Sequence, residues 1–300
     1  MGCWERQLCR PIVVIASADT LFGMKSDFLV RSPGHFHLNI WPTDPDDSIE
    51  KEKIKEKTKE LDEEVERLFD LLFFAGQHSF LVVLQGMDAA GKDGTIRHIL
   101  KATHAQSARV ASFGVPTEEE LSRDFLWRCH KQVPGKGEIC LFNRSHYEDV
   151  GVVRVHNLVP ESIWSSRYEQ INQFESLLAQ NSTIILKIWL HISSEEQEER
   201  LRERESEPVA AWKLNVNDWR ERQHWDAYQQ AYSDAISKCS AEHAPWLVVP
   251  ANKKWYRNYV VSNAIVQALS PYKQCWIDRL ETVGKEARAE LEAFRASAQK

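Results

Sequence analysis

The segment Gly86-Met87-Asp88-Ala89-Ala90-Gly91-Lys92 has the spacing G-x-x-x-x-G-K and directly follows the apolar run Phe80-Leu81-Val82-Val83-Leu84. Glycines at these places let backbone amides approach phosphate oxygens. The start of a helix adds a favourable dipole, and a lysine at the end neutralises terminal phosphate charge. A ligand-free Gly-rich turn would share the pattern, but the strand-then-helix setting favours a phosphate-binding loop made of Gly86, Ala89, Ala90, Gly91, Lys92, Asp93, Gly94 and Thr95. Asp93 stands where most such loops carry a Ser or Thr for Mg²⁺. A metal-dependent transfer then needs another oxygen donor, and Asp88 is the natural candidate. Its alternative role is a carboxylate that caps the loop.

Two other segments carry chemistry. Phe142-Asn143-Arg144-Ser145-His146-Tyr147-Glu148-Asp149 ends an apolar run. The carboxyl end of a strand borders the ligand crevice in a doubly wound sheet, so this polar cluster is expected to face the loop. Arg144 suits bidentate phosphate contacts, and Glu148 or Asp149 suits a metal-bound water. A helix cap would account for Ser145 and Asp149 but not for the rest. The second segment is Glu199-Arg200-Leu201-Arg202-Glu203-Arg204-Glu205-Ser206-Glu207-Pro208, followed by Trp212-Lys213-Leu214 and Arg220-Glu221-Arg222. An Arg-rich helix broken at a proline and then resumed suits a lid that closes on phosphates. A solvated helix with i,i+4 pairs is the competing reading.

The elements that must position these groups follow from periodicity. Residues 1–47 show no sustained period and carry turn signals such as Ser32-Pro33-Gly34, so they read as an irregular arm. From Ser48 a charged amphipathic helix places Ile54, Leu61, Val65, Leu68, Phe69 and Leu72 near one face, and Gly76 closes it. Apolar runs at Phe80–Leu84, Arg109–Phe113, Glu138–Phe142, Thr183–Leu190 and Trp246–Val249 predict five strands. Helical patterns lie between and after them at about 92–103, 117–131, 160–179, 194–205, 216–238 and 254–269. This alternation predicts one α/β domain over 48–270, a parallel sheet with helices on both faces, a lid at about 194–225 and a helical extension over 271–300.

Composition narrows the partners. Of 300 residues 43% are hydrophobic and 27% charged, which excludes wholesale disorder. A formal charge of −6 excludes an unspecific nucleic-acid coat. No apolar run approaches the roughly 18 residues of a membrane span, and Pro11-Ile12-Val13-Val14-Ile15 is too short for a signal core. Arg6 occupies the position where myristoylation wants Ser or Thr. The six cysteines lack C-x-x-C spacing and are expected to be reduced structural thiols in a cytoplasmic protein. Met24-Lys25-Ser26-Asp27 reads as a plausible translation start. A chain starting at Met24 is therefore expected to keep its melting temperature, oligomer size and turnover.

Gly86–Ile96, Phe142–Glu148, Trp212-Lys213 and Pro250-Ala251-Asn252-Lys253-Lys254-Trp255-Tyr256 together resemble the family-2 polyphosphate kinases. Pro116-Thr117-Glu118-Glu119-Glu120-Leu121, Asp124-Phe125-Leu126-Trp127-Arg128 and Ala244-Pro245-Trp246 add smaller matches. The resemblance implies a thymidylate-kinase-like P-loop fold and reversible phosphoryl transfer from inorganic polyphosphate to adenine or guanine nucleotides. Mg²⁺ would be the cofactor, with Mn²⁺ as a substitute, and the assembly a homo-oligomer, a tetramer. Asp88 and Glu148 would hold metal, and Lys92 would clamp phosphate. Arg144 would contact phosphate, Arg204 and Lys213 would act from the lid, and Arg128, Asn143 and Arg222 would complete the binding groups. Asn143 and Glu148, where other members carry Asp and Asn, resemble the class that accepts both AMP and ADP. Ala102-Thr103-His104-Ala105-Gln106, Gly114 and Ala210-Ala211 depart from the family pattern and remove positive charge or shape from a polyanion path. The competing functions are an ATP-dependent nucleotide kinase and a catalytically silent P-loop regulatory subunit. Retention of Asp88, Lys92 and Arg144 together argues against the second.

Overall fold

A computed structural model describes residues 28–103, 106–206 and 216–298. Its centre is a six-stranded sheet in the order β1-β6-β5-β2-β4-β3. The strands are β1 (Leu29–Val30), β2 (Ser79–Gly86), β3 (Ala108–Ser112), β4 (Ile139–Asn143), β5 (Thr183–His191) and β6 (Trp246–Pro250). The last five are parallel and coincide with the five predicted apolar runs. Residues on β2 alternate between layers: Phe80, Val82 and Leu84 pack into one core, Leu81 and Val83 into the other. A strand covered on both faces shows continuous apolarity rather than alternation, as its sequence does.

The first layer holds α1 (Lys51–Ala75), α2 (Lys92–Leu100), α11 (Lys254–Leu269) and α12 (Lys273–Ala298). The predicted stripe of α1 is buried, and Gly76 ends the helix in the left-handed conformation, φ 58°, its amide returning to the Leu72 carbonyl. At the base of α12, Trp276 Nε1 donates to His78 Nδ1 at 3.1 Å. Burial pushes the His78 pKa down to about 4, which keeps the ring a neutral acceptor. The opposite layer holds α7 (Arg167–Gln180) and α10 (Trp225–Cys239).

The remaining helices are short or border the strands' carboxyl ends. They are α3 (Glu118–Leu121), α4 (Trp127–His130), α5 (Val152–Val155), α6 (Glu161–Trp164), α8 (Ser194–Ser206) and α9 (Val216–Arg222). The single helix expected over 117–131 is thus two one-turn pieces, the first started by a Thr117–Glu120 capping box.

The arm departs from the irregular reading. Leu29 and Val30 pair antiparallel with Leu247 and Trp246, adding an edge strand. Phe36 and Leu38 are buried, and Trp41 Nε1 donates to the Val248 carbonyl at 3.1 Å. Two paired residues are too few to show a period, so this anchoring leaves no sequence pattern. Met24 and the residues before it lie outside the described ones. Cys129, Cys140 and Cys239 are free and buried. Cys3 and Cys9 lie outside the described residues. Among the described residues no helix is long and apolar enough to cross a membrane.

Candidate active site

The loop after β2 passes into α2 at the carboxyl edge of the sheet, and Lys92 is the first residue of that helix. Ala89 has φ 63° and Gly91 has φ 102°, so the chain turns through the left-handed region twice within three residues. At Gly91 that φ disfavours any side chain, and a Cβ would lie 2.5 Å from Arg257 Nη1, which would have to shift. Lys92 Nζ donates to the Gly86 carbonyl at 2.7 Å and to the Met87 carbonyl at 3.1 Å. Burial pushes its pKa down, while Asp88, Glu148 and Asp93 oppose the shift.

β4 lies beside β2, so its end faces the loop. Arg144 takes φ 63°, costly for a non-glycine residue, and its amide is held by the Leu84 carbonyl at 3.0 Å. That bend sends Arg144 Nη2 to Asp88 Oδ1 at 2.8 Å, with Nη1 3.7 Å from Glu148 Oε2. Both carboxylates raise its pKa against the opposing effect of burial. Glu148 is held in turn by Gln85 Nε2 at 3.1 Å and Tyr232 Oη at 3.3 Å. Asn143 Nδ2 donates to Asp93 Oδ1 at 3.0 Å. The structure therefore gathers Asp88, Lys92, Asp93, Asn143, Arg144 and Glu148 at one edge. Gly86, Ala89, Ala90, Gly91, Gly94 and Thr95 form the loop and first turn beneath them.

Other predicted residues lie farther out. Arg204 on α8 pairs with Asp218 of α9 at 3.0 Å. Asp218 is coupled electrostatically to Asp88, Arg144 and Lys92, so this pair borders the same cluster. Arg222 donates to the Ser194 carbonyl at 2.6 Å, to Glu198 at 2.7 Å and to Gln197 Oε1 at 3.2 Å, and Gln197 in turn touches the loop. Arg128 lies over the Phe113 ring and 3.6 Å from Glu120. Asp149, offered beside Glu148, turns away to Arg167 at 3.1 Å. Lys213 lies outside the described residues.

Sequence reasoning assigned no role to three residues that touch the loop: Gln197 and Arg200 of α8, and Arg257 of α11. Only the Arg-rich run around Arg200 pointed toward them. It also missed what fixes the turn bearing Glu148. Lys187, fully buried, donates to Glu175 at 2.6 Å and to Tyr147 Oη at 2.9 Å, while His146 Nε2 lies 3.1 Å from Glu175. His146 and Tyr147 belong to the one-turn helix His146–Asp149, so this buried ion pair anchors Glu148 from behind. Lys187→Met is expected to lower stability by about 3–5 kcal/mol, because Glu175 loses its main counter-charge in the core. Urea unfolding checks this; a loss under about 1 kcal/mol would mean that His146 and Tyr147 Oη, 3.1 and 2.9 Å from Glu175, together satisfy the carboxylate.

A parallel sheet with a glycine-rich loop entering a helix, and with arginine and carboxylates from the neighbouring strand, defines a P-loop kinase. The Polyphosphate kinase 2 (PPK2) family model matches residues 48–275. An AMP/ADP-polyphosphate phosphotransferase of Meiothermus ruber is 52% identical over 246 residues, 81% of this chain and 91% of that protein. An ADP-polyphosphate phosphotransferase of Rhodopseudomonas palustris is 39% identical over 262 residues, 83% and 91% of the two chains. The crystal structure of polyphosphate kinase 2 from Arthrobacter aurescens superposes with a TM-score of 0.78 at 39% identity, covering 81% of this chain and 88% of that one. The chain belongs to the polyphosphate kinase 2 family.

Proposed function

We propose that this enzyme transfers the terminal phosphoryl group of inorganic polyphosphate to nucleoside mono- and diphosphates, converting AMP to ADP and ADP to ATP, reversibly. The observation that carries this is the meeting of Lys92, Arg144, Asp88 and Glu148 over one phosphate-binding loop. Similarity to the Meiothermus ruber protein supports acceptance of both AMP and ADP. Guanine nucleotides, a tetrameric assembly and work in the cytoplasm complete the reading.

An oxygen of the acceptor's terminal phosphate attacks the last phosphorus of the donor chain in line. The bond from that phosphorus to its bridging oxygen breaks, and the shortened chain leaves with the electron pair. The attacking oxygen is already ionised, so no strong general base is needed. Lys92 and Arg144 offset charge spread over the transferring group. Among the described residues no cluster of three or more acidic, His or Cys side chains forms a metal cage. Asp88 and Glu148, flanking Arg144, fit an ion held by one or two carboxylates together with substrate oxygens, the mode Mg²⁺ prefers. Bound there, Mg²⁺ or Mn²⁺ would neutralise phosphate charge and orient the donor.

The deciding experiment supplies AMP or ADP with polyphosphate as the only donor. Product formation supports the proposal. Product with ATP alone would mark a nucleotide kinase, and none with either donor a silent subunit. Within the proposal, Glu148 governs the acceptor, because a monophosphate leaves space that a metal- or water-holding carboxylate must fill. Glu148→Asn is expected to lose AMP phosphorylation about tenfold more than ADP phosphorylation, a difference of about 1.4 kcal/mol between the two barriers. Parallel initial rates with the two acceptors measure it, and equal losses would reject this role.

A further inference from the structure

All six carbonyls from Gly86 to Gly91 accept from a side chain. Lys92 Nζ serves Gly86 and Met87, and Gln197 Nε2 serves Asp88 at 2.9 Å. Arg200 Nη1 serves Ala89 and Ala90, each at 3.0 Å. Thr95 Oγ1 at 3.1 Å and Arg257 Nη1 at 3.4 Å serve Gly91. A trans peptide carries its N–H opposite its C=O. Turning the carbonyls of Asp88, Ala89, Ala90 and Gly91 toward these donors therefore turns the amides of Ala89, Ala90, Gly91 and Lys92 the other way. Ala90's amide closes on the Met87 carbonyl, and the trans geometry leaves those of Ala89, Gly91 and Lys92 on the side away from these donors, where successive backbone amides can meet an anion.

Arg200 is used to capacity. Nε donates to Glu196 at 2.7 Å, and Nη2 to the carbonyls of Ala251 at 2.7 Å and Asn252 at 2.9 Å. With Ala89 and Ala90 these make five acceptors for the five N–H groups of a guanidinium. Glu196 balances its charge, so the contribution is geometric rather than coulombic. Gln197 and Arg200 stand one turn apart on α8, both buried, and the next turn carries Arg204.

We propose that Gln197 and Arg200 are positioning residues for phosphoryl transfer. They clamp the outer side of the loop so that its amides meet the donor phosphates, and they tie α8 to that conformation. The inference rests on the loop's being the phosphate site of the proposed reaction. Lysine cannot replace the arginine, since its three donors lack the planar fork.

The test uses the full chain carrying Arg200→Lys or Gln197→Met. Steady-state kinetics with polyphosphate and ADP are paired with calorimetric binding of inorganic tripolyphosphate and a thermal melt. Arg200→Lys is expected to lower kcat/KM for polyphosphate about 100-fold, the scale of a 1 Å misplacement. Tripolyphosphate binding should weaken in parallel while the KM for ADP moves less than about threefold. Gln197→Met should shift the same quantities in the same direction by about tenfold, the scale of one hydrogen bond, and keeps the test open if Arg200→Lys does not fold. Added guanidinium should restore part of the activity of Arg200→Ala. Wild-type kinetics in either folded variant, or losses that follow only the folded fraction, would overturn the proposal. A wild-type enzyme that uses ATP and not polyphosphate would refute the donor reading alone. The same comparison then runs with ATP as the phosphate chain.

Discussion

Lys92→Ala is expected to reduce phosphoryl transfer about a thousandfold or more, the scale on which a single well-placed cation stabilises this kind of transition state. The ammonium lies across the mouth of the loop, between the Gly86 and Met87 carbonyls. Burial pushes its pKa down, and Asp88 leads the carboxylates that oppose that shift. Removing it leaves Arg144, already engaged by Asp88 and Glu148, as the nearest cation of the cluster. The fold should not suffer, because alanine suits the first turn of α2 and Lys92 adds nothing to either apolar core. Chromatographic assay of ADP and ATP together with a thermal melt checks both halves. A folded and fully active variant would remove the loop from the mechanism.

What the sequence disclosed depended on how local the cause was. The loop is legible because its glycines and lysine act within seven consecutive residues. The five parallel strands are legible because burial on both faces leaves unbroken apolar runs. Leu29–Val30 is not, since a two-residue strand takes its stability from β6 and has no period of its own. Arg200 was hidden differently. Four of its five acceptors are backbone carbonyls, two of them more than a hundred residues earlier, and a carbonyl leaves no trace in residue type.

Charged residues were the hardest to sort. Arg200, Arg202, Arg204 and Arg222 look alike in sequence. In the structure the first braces the loop, the second pairs with Glu198 in solvent, the third meets Asp218 and the fourth pins α9 to the start of α8. Only neighbours brought together by the sheet distinguish them. The same holds for Lys187 and Glu175: a lysine inside the apolar run of β5 reads as an interruption until α7 supplies its counter-charge.

Asp88→Asn carries the second large expected effect, a fall in turnover of about two to three orders of magnitude, equivalent to several kcal/mol of lost charge stabilisation. The substitution preserves shape and the ability to accept from Arg144, now 2.8 Å away, so the loop should keep its path. That path is secured independently by the contacts of Gln197 and Arg200 with the carbonyls of Asp88, Ala89 and Ala90. What disappears is the anionic oxygen of the proposed magnesium site. With no cage of three or more such ligands among the described residues, the loss falls on Glu148 and on substrate oxygens. Two readouts should therefore move together: turnover at saturating Mg²⁺ drops, and the Mg²⁺ concentration for half-maximal rate rises. The melting temperature should change little, since the pair with Arg144 is partly exposed and such pairs contribute roughly 0–1 kcal/mol. Near-wild-type turnover at saturating Mg²⁺ would make Asp88 a loop cap and move the metal assignment to Glu148. A large fall in melting temperature with unchanged Mg²⁺ dependence would show that Asp88 serves mainly to hold Arg144 in its left-handed bend.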